Sequence, residues 1–502
     1  MEFELQKASS ENSGVVNELQ YKLGHVANYI VGRSSVLYYP SGGTVYAPRA
    51  SKTLRFNLTG DNAWLDASTL NVRFQFNNTS AHAIKLLNAL PANFFYRMRI
   101  LAHQTIIEDW SYYNRIYNTI HALLPAEKKF NDYCLGFGFN DDVVANTYSN
   151  VNFESTNTPP QVDAGKSRVV QFNLFSGLLS QTKYIPLHYL KGLTIELELV
   201  SDVNDCITRA AAADVYDWTL TEPVVMCDIV QLDQSLENEF ANALLDGESL
   251  PIAYDSFVTQ LQSLPSTDQA TISLSRSFTR LKSLFITFYN PIRTLEDVLV
   301  VPAGGGAAVA SDFRFTATED KQIPLNAINH FYHKNFIRPG GYDLNAFPEL
   351  PALTAAFDIR KEGYYRYCPE NDNLSIQVQI GAKLFPEQPI ESLSSAYYHL
   401  RKTLGNIKPT SPFSLNINDK EYRSHKFICG VDLEKCNTSD FSGINAKMSD
   451  QITIRLKNLS HTKVIGTSAG QILAGSSPEY MYVSLNYSGV LLISDKGISV
   501  LE

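Results

Sequence analysis

KYIPLHYLKGLTIELEL, residues 183–199, alternates from Leu193 onward: Leu193, Ile195, Leu197 and Leu199 fall on one side, Thr194, Glu196 and Glu198 on the other. A period of two is that of a strand with one face in a core and one in water. Pro186 and Gly192 punctuate its approach. The stretch therefore predicts one stave of an antiparallel sheet, with two glutamates on its outer face.

Working outward, strand-like runs occur at TLRFNL (53–58), LNVRFQF (70–76), FFYRMRILAHQTIIEDW (94–110), RVVQFNLF (168–175) and DWTL through EPVVMCDIVQL (217–232). A helical period interrupts them at 111–125, where Tyr113, Ile116, Ile120 and Leu123 share a face and Pro125 ends the run. Residues 17–31 place Leu19, Leu23, Val26, Ala27 and Ile30 at helical spacing, ahead of a turn-rich extended stretch to residue 48. They predict an N-terminal arm with an amphipathic helix.

Residues 233–249 are acidic and helical in spacing, and new strands begin beyond Pro251, which puts a domain boundary near residue 240. The second half repeats the order of the first. Strands at 255–264, 270–278, 281–290 and 375–385 precede a helix at 391–405, and strands at 425–433, 450–459 and 480–494 follow it. Phe175-Ser176-Gly177 precedes the long alternating strand of the first half, and Phe441-Ser442-Gly443 precedes that of the second. The shared order implies duplication of one β-domain.

Composition agrees. Of 502 residues 44% are hydrophobic, with 27 Tyr and 27 Phe against 5 Met, a balance that favours sheet over helical bundle. Two packed antiparallel sheets with Greek-key connections suit domains of this kind, and the jelly roll is the common eight-stranded solution. The expectation is an all-β chain of two tandem eight-stranded antiparallel jelly rolls with short inserted helices: arm 1–48, first jelly roll 49–240, second jelly roll 241–502. VPAGGGAAVAS, residues 301–311, predicts an exposed loop.

A net charge of -9 and basic runs no longer than pairs such as Lys128-Lys129 argue against direct nucleic-acid binding. The first residues lack the pattern of a signal peptide, and no 18 apolar residues run together, so a chain neither secreted by a signal peptide nor membrane-spanning is expected. Cys134, Cys206, Cys227, Cys368, Cys429 and Cys436 show no metal-finger spacing and read as reduced thiols. Sequons such as those at Asn57, Asn77 and Asn458 then read as accidental.

Candidate chemistry is thin. Glu196 and Glu198 stand about 7 Å apart on one strand face, a separation also used by inverting glycosidases, yet every half-buried strand makes such pairs. AGKS (164–167) resembles the end of a phosphate loop, but Pro160 occupies the place of its first glycine. His330 and His333 could supply metal ligands, but the HxH pair of a metal-binding jelly roll is missing from the chain. A Cys-His pair would meet only in space, and no cysteine sits in a recognisable turn-to-helix context. Glu370-Asn371-Asp372 lacks the ligand spacing of a calcium loop. Tyr112-Tyr113 and Tyr397-Tyr398 read as helix-to-sheet packing. No catalytic, metal or cofactor-binding residue is assigned, and no cofactor is expected.

The order of elements and three phrases, VQLDQSLENEFANAL (230–244), FSGINAKMSDQITIRLKNL (441–459) and YMYVSLNYSGVLLISDKGISVLE (480–502), resemble the double jelly-roll major capsid proteins of the adenovirus-like lineage of double-stranded DNA viruses. Polinton-like viruses, virophages and nucleocytoplasmic large DNA viruses are the nearest in pattern. KYIPLHYLKGLTIELEL is similar to the late strands of the family's first jelly roll. The resemblance spans about residues 50–502.

It implies a virion protein without enzymatic activity that forms homotrimers; six jelly rolls then make a pseudo-hexameric capsomer that tiles an icosahedral shell. It implies contacts with neighbouring trimers and with penton and minor or cement proteins, and an arm facing a neighbour or an internal membrane, with loops such as 301–311 turned toward host receptors. The alternative is a tandem β-sandwich carbohydrate-binding protein or glycoside hydrolase, which predicts a monomer or dimer with a groove.

Overall fold

Leu193–Leu199 forms the expected strand, and it lies between Thr53–Leu58 and Phe95–Ala102 in an antiparallel sheet. The computed structural model describes residues 29–86, 90–138, 161–208, 216–289 except 266 and 268, 374–405, 427–434, 443–447, 451–457 and 480–502 except 496. It adds the short pieces 299–300, 309–310, 415, 417, 422, 463–464 and 472–473.

Leaving aside strands of two or three residues, the first half runs β1 (Ile30–Tyr38), β2 (Thr53–Leu58), β3 (Trp64–Asn78), β4 (Phe95–Ala102) and β5 (Thr105–Ser111). Helices α1 (Tyr113–Leu123) and α2 (Ala126–Leu135) follow, and then β6 (Ser167–Asn173), β7 (Leu193–Leu199) and β8 (Trp218–Leu232). Helix α3 (Gln234–Leu245) leads into the second half. There β9 (Leu250–Ser263), β10 (Gln269–Leu274), β11 (Leu281–Tyr289), β12 (Ser375–Ile380) and β13 (Lys383–Ile390) precede α4 (Leu393–Thr403). The series ends with β14 (Cys429–Asp432), β15 (Ile452–Lys457), β16 (Tyr480–Ser494) and β17 (Gly497–Leu501).

The first half stacks a sheet of order β1-β8-β3-β6 on one of order β2-β7-β4-β5. The second half stacks β9-β16-β11-β14 on β10-β15-β12-β13. Strand for strand the two orders are the same, and in each half a helix of 11 residues follows the fifth strand. Each half is an eight-stranded antiparallel jelly roll, as the periodicity predicts, and in the second β17 adds a further strand by pairing with β16.

Side-chain alternation fills the space between the sheets. Phe74, Phe76, Phe94, Phe95, Phe172 and Trp218 are buried together, with Phe94 4.8 Å from Trp218 and 5.1 Å from Phe76 between ring centroids. Leu284, Ile286, Phe288, Ile454, Val483 and Leu485 fill the second core. Burial of this many large side chains, each contributing roughly 1.5–3 kcal/mol, is the main force holding each sandwich closed.

The arm requires a correction. Ile30, read as the end of the helical stretch 17–31, begins β1, which pairs with β8 along Ile30↔Leu232 to Tyr38↔Val225. The first jelly roll thus takes in residues from 30 that the sequence reading left to the arm; residues 17–28 lie outside the described residues. Arg33 ties β1 down, donating to Asp228 and Asp66 at 2.8 Å each. The division near 240 falls inside α3, whose start is capped by the Asp233 carboxylate accepting from the Ser235 N–H.

Candidate assembly junction

Two strands read as single runs are hairpins. The 94–110 stretch turns at His103, whose φ is +55°, and the 375–385 stretch turns at Gly381, φ +58°. The first hairpin has a consequence for how the two jelly rolls meet, because it carries Glu108 and Trp110 on β5 to the border of the second.

Glu108 is buried, and three groups of one turn converge on it: the Ser176 hydroxyl donates to Oε2, the Gly177 N–H to Oε1 at 3.0 Å and the Leu178 N–H to Oε2 at 3.1 Å. Burial pushes its carboxyl above the ordinary range, against hydrogen bonds from Ser176, Ser256 and the two N–H groups that pull it down. The turn it holds lies against β9 of the other jelly roll. A Cβ added to Gly177 would stand 1.9 Å from the Asp255 carbonyl oxygen, so only glycine permits this approach.

Around that point the two halves exchange hydrogen bonds. Trp110 Nε1 donates to Ser256 Oγ at 2.9 Å, the Tyr254 hydroxyl to the Ile107 carbonyl at 3.0 Å, and Gln181 Nε2 to the Ala253 carbonyl at 2.8 Å. Apolar packing is continuous too: Tyr254, Leu491 and Ile493 belong to the first core, while Ala122 of α1 belongs to the second. Arg115 lies 5.4 Å over the Tyr482 ring, and Tyr112 meets the same ring edge-on at 5.4 Å. A second tie fixes the connector: Glu237 of α3 is buried, accepts from Trp64 Nε1 and lies 3.4 Å from His188 Nε2.

The residues singled out for chemistry fall elsewhere. Glu196 is held between Arg99 at 2.7 Å and Arg55 at 3.5 Å, its cross-strand neighbours on the outer face of β7. Glu198 stands opposite Arg97, which is itself engaged twice by Asp109, at 2.7 and 2.5 Å. These are cross-strand ion pairs of a sheet. Gly165 of AGKS occupies a turn at φ +68° before β6. Cys206, Cys227 and Cys429 are buried and form no disulfide, and burial pushes the thiols of Cys227 and Cys429 up to about 12, where they are poor nucleophiles at neutral pH.

His330, His333, Cys368, Cys436 and Glu370 to Asp372 lie outside the described residues, as do 301–308 and 311, whereas 299–300 pairs with 309–310. Tyr113 packs on Trp110 and Tyr397 on Tyr422, as expected of helix packing, whereas Tyr398 is exposed. Among the described residues no group of three His, Cys, Asp or Glu side chains could hold a metal, and no helix is long and apolar enough to cross a membrane. The junction itself was missed from sequence, although the repeated Phe-Ser-Gly was its visible trace.

No family model and no curated protein matches the chain. Solved structures do. The PBCV-1 virus capsid, in a quasi-atomic description, is 12% identical with a TM-score of 0.56, over 96% of this chain and 99% of that one. The Sputnik virophage structure at 3.5 Å is 9% identical with a TM-score of 0.54, over 97% and 92%. The Faustovirus major capsid protein is 10% identical with a TM-score of 0.53, over 98% and 94%. At such identities the likeness is one of fold, and it covers both jelly rolls together. The chain has the double jelly-roll fold of viral capsid proteins.

Proposed function

We propose that this protein is a major capsid protein of a double-stranded DNA virus, whose homotrimers are pseudo-hexameric capsomers of an icosahedral shell. The observation that carries the reading is the identical strand order of two jelly rolls locked side by side in one chain. Two equivalent wedges per chain make six around a three-fold axis, which lets a trimer fill a hexagonal place in a lattice. The solved structures of like fold are, by their descriptions, a virus capsid, a virophage and a major capsid protein.

On this reading the partners are further copies of the chain, then neighbouring capsomers, penton and minor proteins, and the place of action is the virion. The proposed role is structural; Glu196, the best carboxylate candidate, is occupied by two arginines.

Light scattering on the purified chain, with negative-stain imaging of the same peak, tests the proposal. The expected result is a particle of three times 56.1 kDa with a hexagonal outline. A monomer at micromolar concentration would overturn it.

A further inference from the structure

His188 stands in the approach to β7, on a turn held by its own backbone. The Leu190 N–H donates to the Pro186 carbonyl at 3.2 Å, the Lys191 N–H to the His188 carbonyl at 3.1 Å and the Gly192 N–H to the Leu187 carbonyl at 2.9 Å. Lys191 and Gly192 complete the turn at φ +56° and +91°. The turn presents the imidazole to α3, the connector between the two jelly rolls. Nε2 lies 3.4 Å from Glu237 Oε2, and Nδ1 lies 3.4 Å from the Ala63 carbonyl oxygen. Both ring nitrogens therefore face oxygen acceptors. A neutral imidazole has a single N–H and turns a lone pair toward one of them, whereas imidazolium has an N–H for each.

Glu237 calls for that positive charge. It is buried, and it sits in the first turn of α3, where the open N–H groups of the helix favour an anion. Its Oε1 accepts from Trp64 Nε1, which leaves Oε2 turned to His188. Among the described residues no lysine or arginine lies within ion-pair distance of it, and His188 is its one cationic neighbour. The His188 side chain is 18% exposed, so solvent protons reach the ring although Nε2 itself is covered.

Tyr189 is the other titratable group against this ring, 3.9 Å away between centroids, and its hydroxyl donates to the Glu237 carbonyl at 3.4 Å. Burial raises that hydroxyl above its ordinary value, so it stays neutral wherever imidazole titrates. Trp64 meets the imidazole edge-on at 5.9 Å.

Little else anchors α3. Glu237 and Leu244 are its buried residues, and Phe240 packs on Trp64 at 5.1 Å between ring centroids. One of two buried anchors is thus a carboxylate, and a buried carboxylate that loses its counter-charge weakens whatever it holds.

We infer that His188 and Glu237 form a proton-operated latch on the connector: protonated His188 holds α3 on the first jelly roll, and loss of the proton loosens the helix. The tie is complete below the ordinary imidazole value of about 6.5 and is lost as rising pH removes the proton from the folded chain. The latch stands on this geometry alone and is independent of the capsid reading.

Hydrogen exchange of the full chain followed by mass spectrometry, from about pH 5 to pH 8 and corrected for the intrinsic rate at each pH, tests the latch. Protection of α3 in the wild type should fall about fivefold over that range, the scale of one partly solvated ion pair. His188→Gln cannot take the proton, and Glu237→Gln keeps an oxygen for Trp64 but lacks the charge. Both variants, shown to be folded by circular dichroism, should have weakly protected α3 with no such fall.

A wild-type α3 whose protection does not change with pH would overturn the latch. So would a fall of the wild-type size in either variant, and since the two alter opposite partners, one folded variant suffices to decide. A purely structural contact would weaken α3 in the variants and leave its pH profile where the wild type has it.

Discussion

At the scale of single residues, the junction depends on one carboxylate and one hydrogen. Glu108, itself buried, accepts from a hydroxyl and two backbone N–H groups. Glu108→Ala leaves those donors buried without acceptors and should cost about 3 kcal/mol in urea unfolding followed by Trp110 fluorescence. Because burial raises its carboxyl in the folded chain, the contribution of Glu108 is complete below the ordinary carboxylate value and is lost as pH rises through the raised one. Urea midpoints of the wild type should therefore fall across that window relative to Glu108→Gln, which has no proton to lose there; parallel curves for the two would refute the assignment. None of this was legible in the run 94–110, where Glu108 occupies a position indistinguishable from any polar residue on a strand.

At the scale of elements, most of the architecture was readable because each strand presents one face to a core and one to water. The alternation at 193–199 gives a strand at those residues, and the helical spacing at 233–249 and 391–405 gives α3 and α4. The failures have physical causes. The hairpin at His103 uses a left-handed non-glycine residue, so the 94–110 run carries no Gly-type turn signal at that point. Strand β1 has no fully buried residue: Val31 and Leu37 are exposed, and Val36 and Tyr38 are only partly buried against the core. Its pattern was hidden behind the helical spacing that ends at Ile30.

Two predictions belong to this scale. Glu237→Ala leaves the buried Trp64 indole N–H without its acceptor and frees α3 from β3, which should cost about 2 kcal/mol by thermal or urea unfolding. Glu196→Gln, by contrast, removes partly solvated ion pairs from an outer face and should cost no more than about 1 kcal/mol while leaving the oligomer mass unchanged. A loss of assembly in Glu196→Gln would mean that this face of the sheet is itself an interface.

At the scale of the whole molecule, the question is whether two jelly rolls form one mechanical block. Tandem domains joined by a helix commonly move independently, because their interfaces are small and polar. Here the cores interpenetrate: Tyr254, Leu491 and Ile493 lie in the first, Ala122 lies in the second, and Phe257 packs against both. Calorimetry of the wild type should therefore show a single cooperative transition covering both halves. Gly177→Ala provides the discriminating variant. Its φ of -65° suits alanine, so the penalty is the collision of Cβ with the Asp255 backbone, which forces β9 away from the turn. The expected cost is about 3 kcal/mol, and it should appear as a split into two transitions, since each jelly roll keeps its own sheets while the shared region opens. A single transition merely shifted to lower temperature would show that the halves are coupled by something other than this approach. Two transitions in the wild type itself would mean that the block is not rigid, and that a trimer must supply the stiffness that the chain lacks.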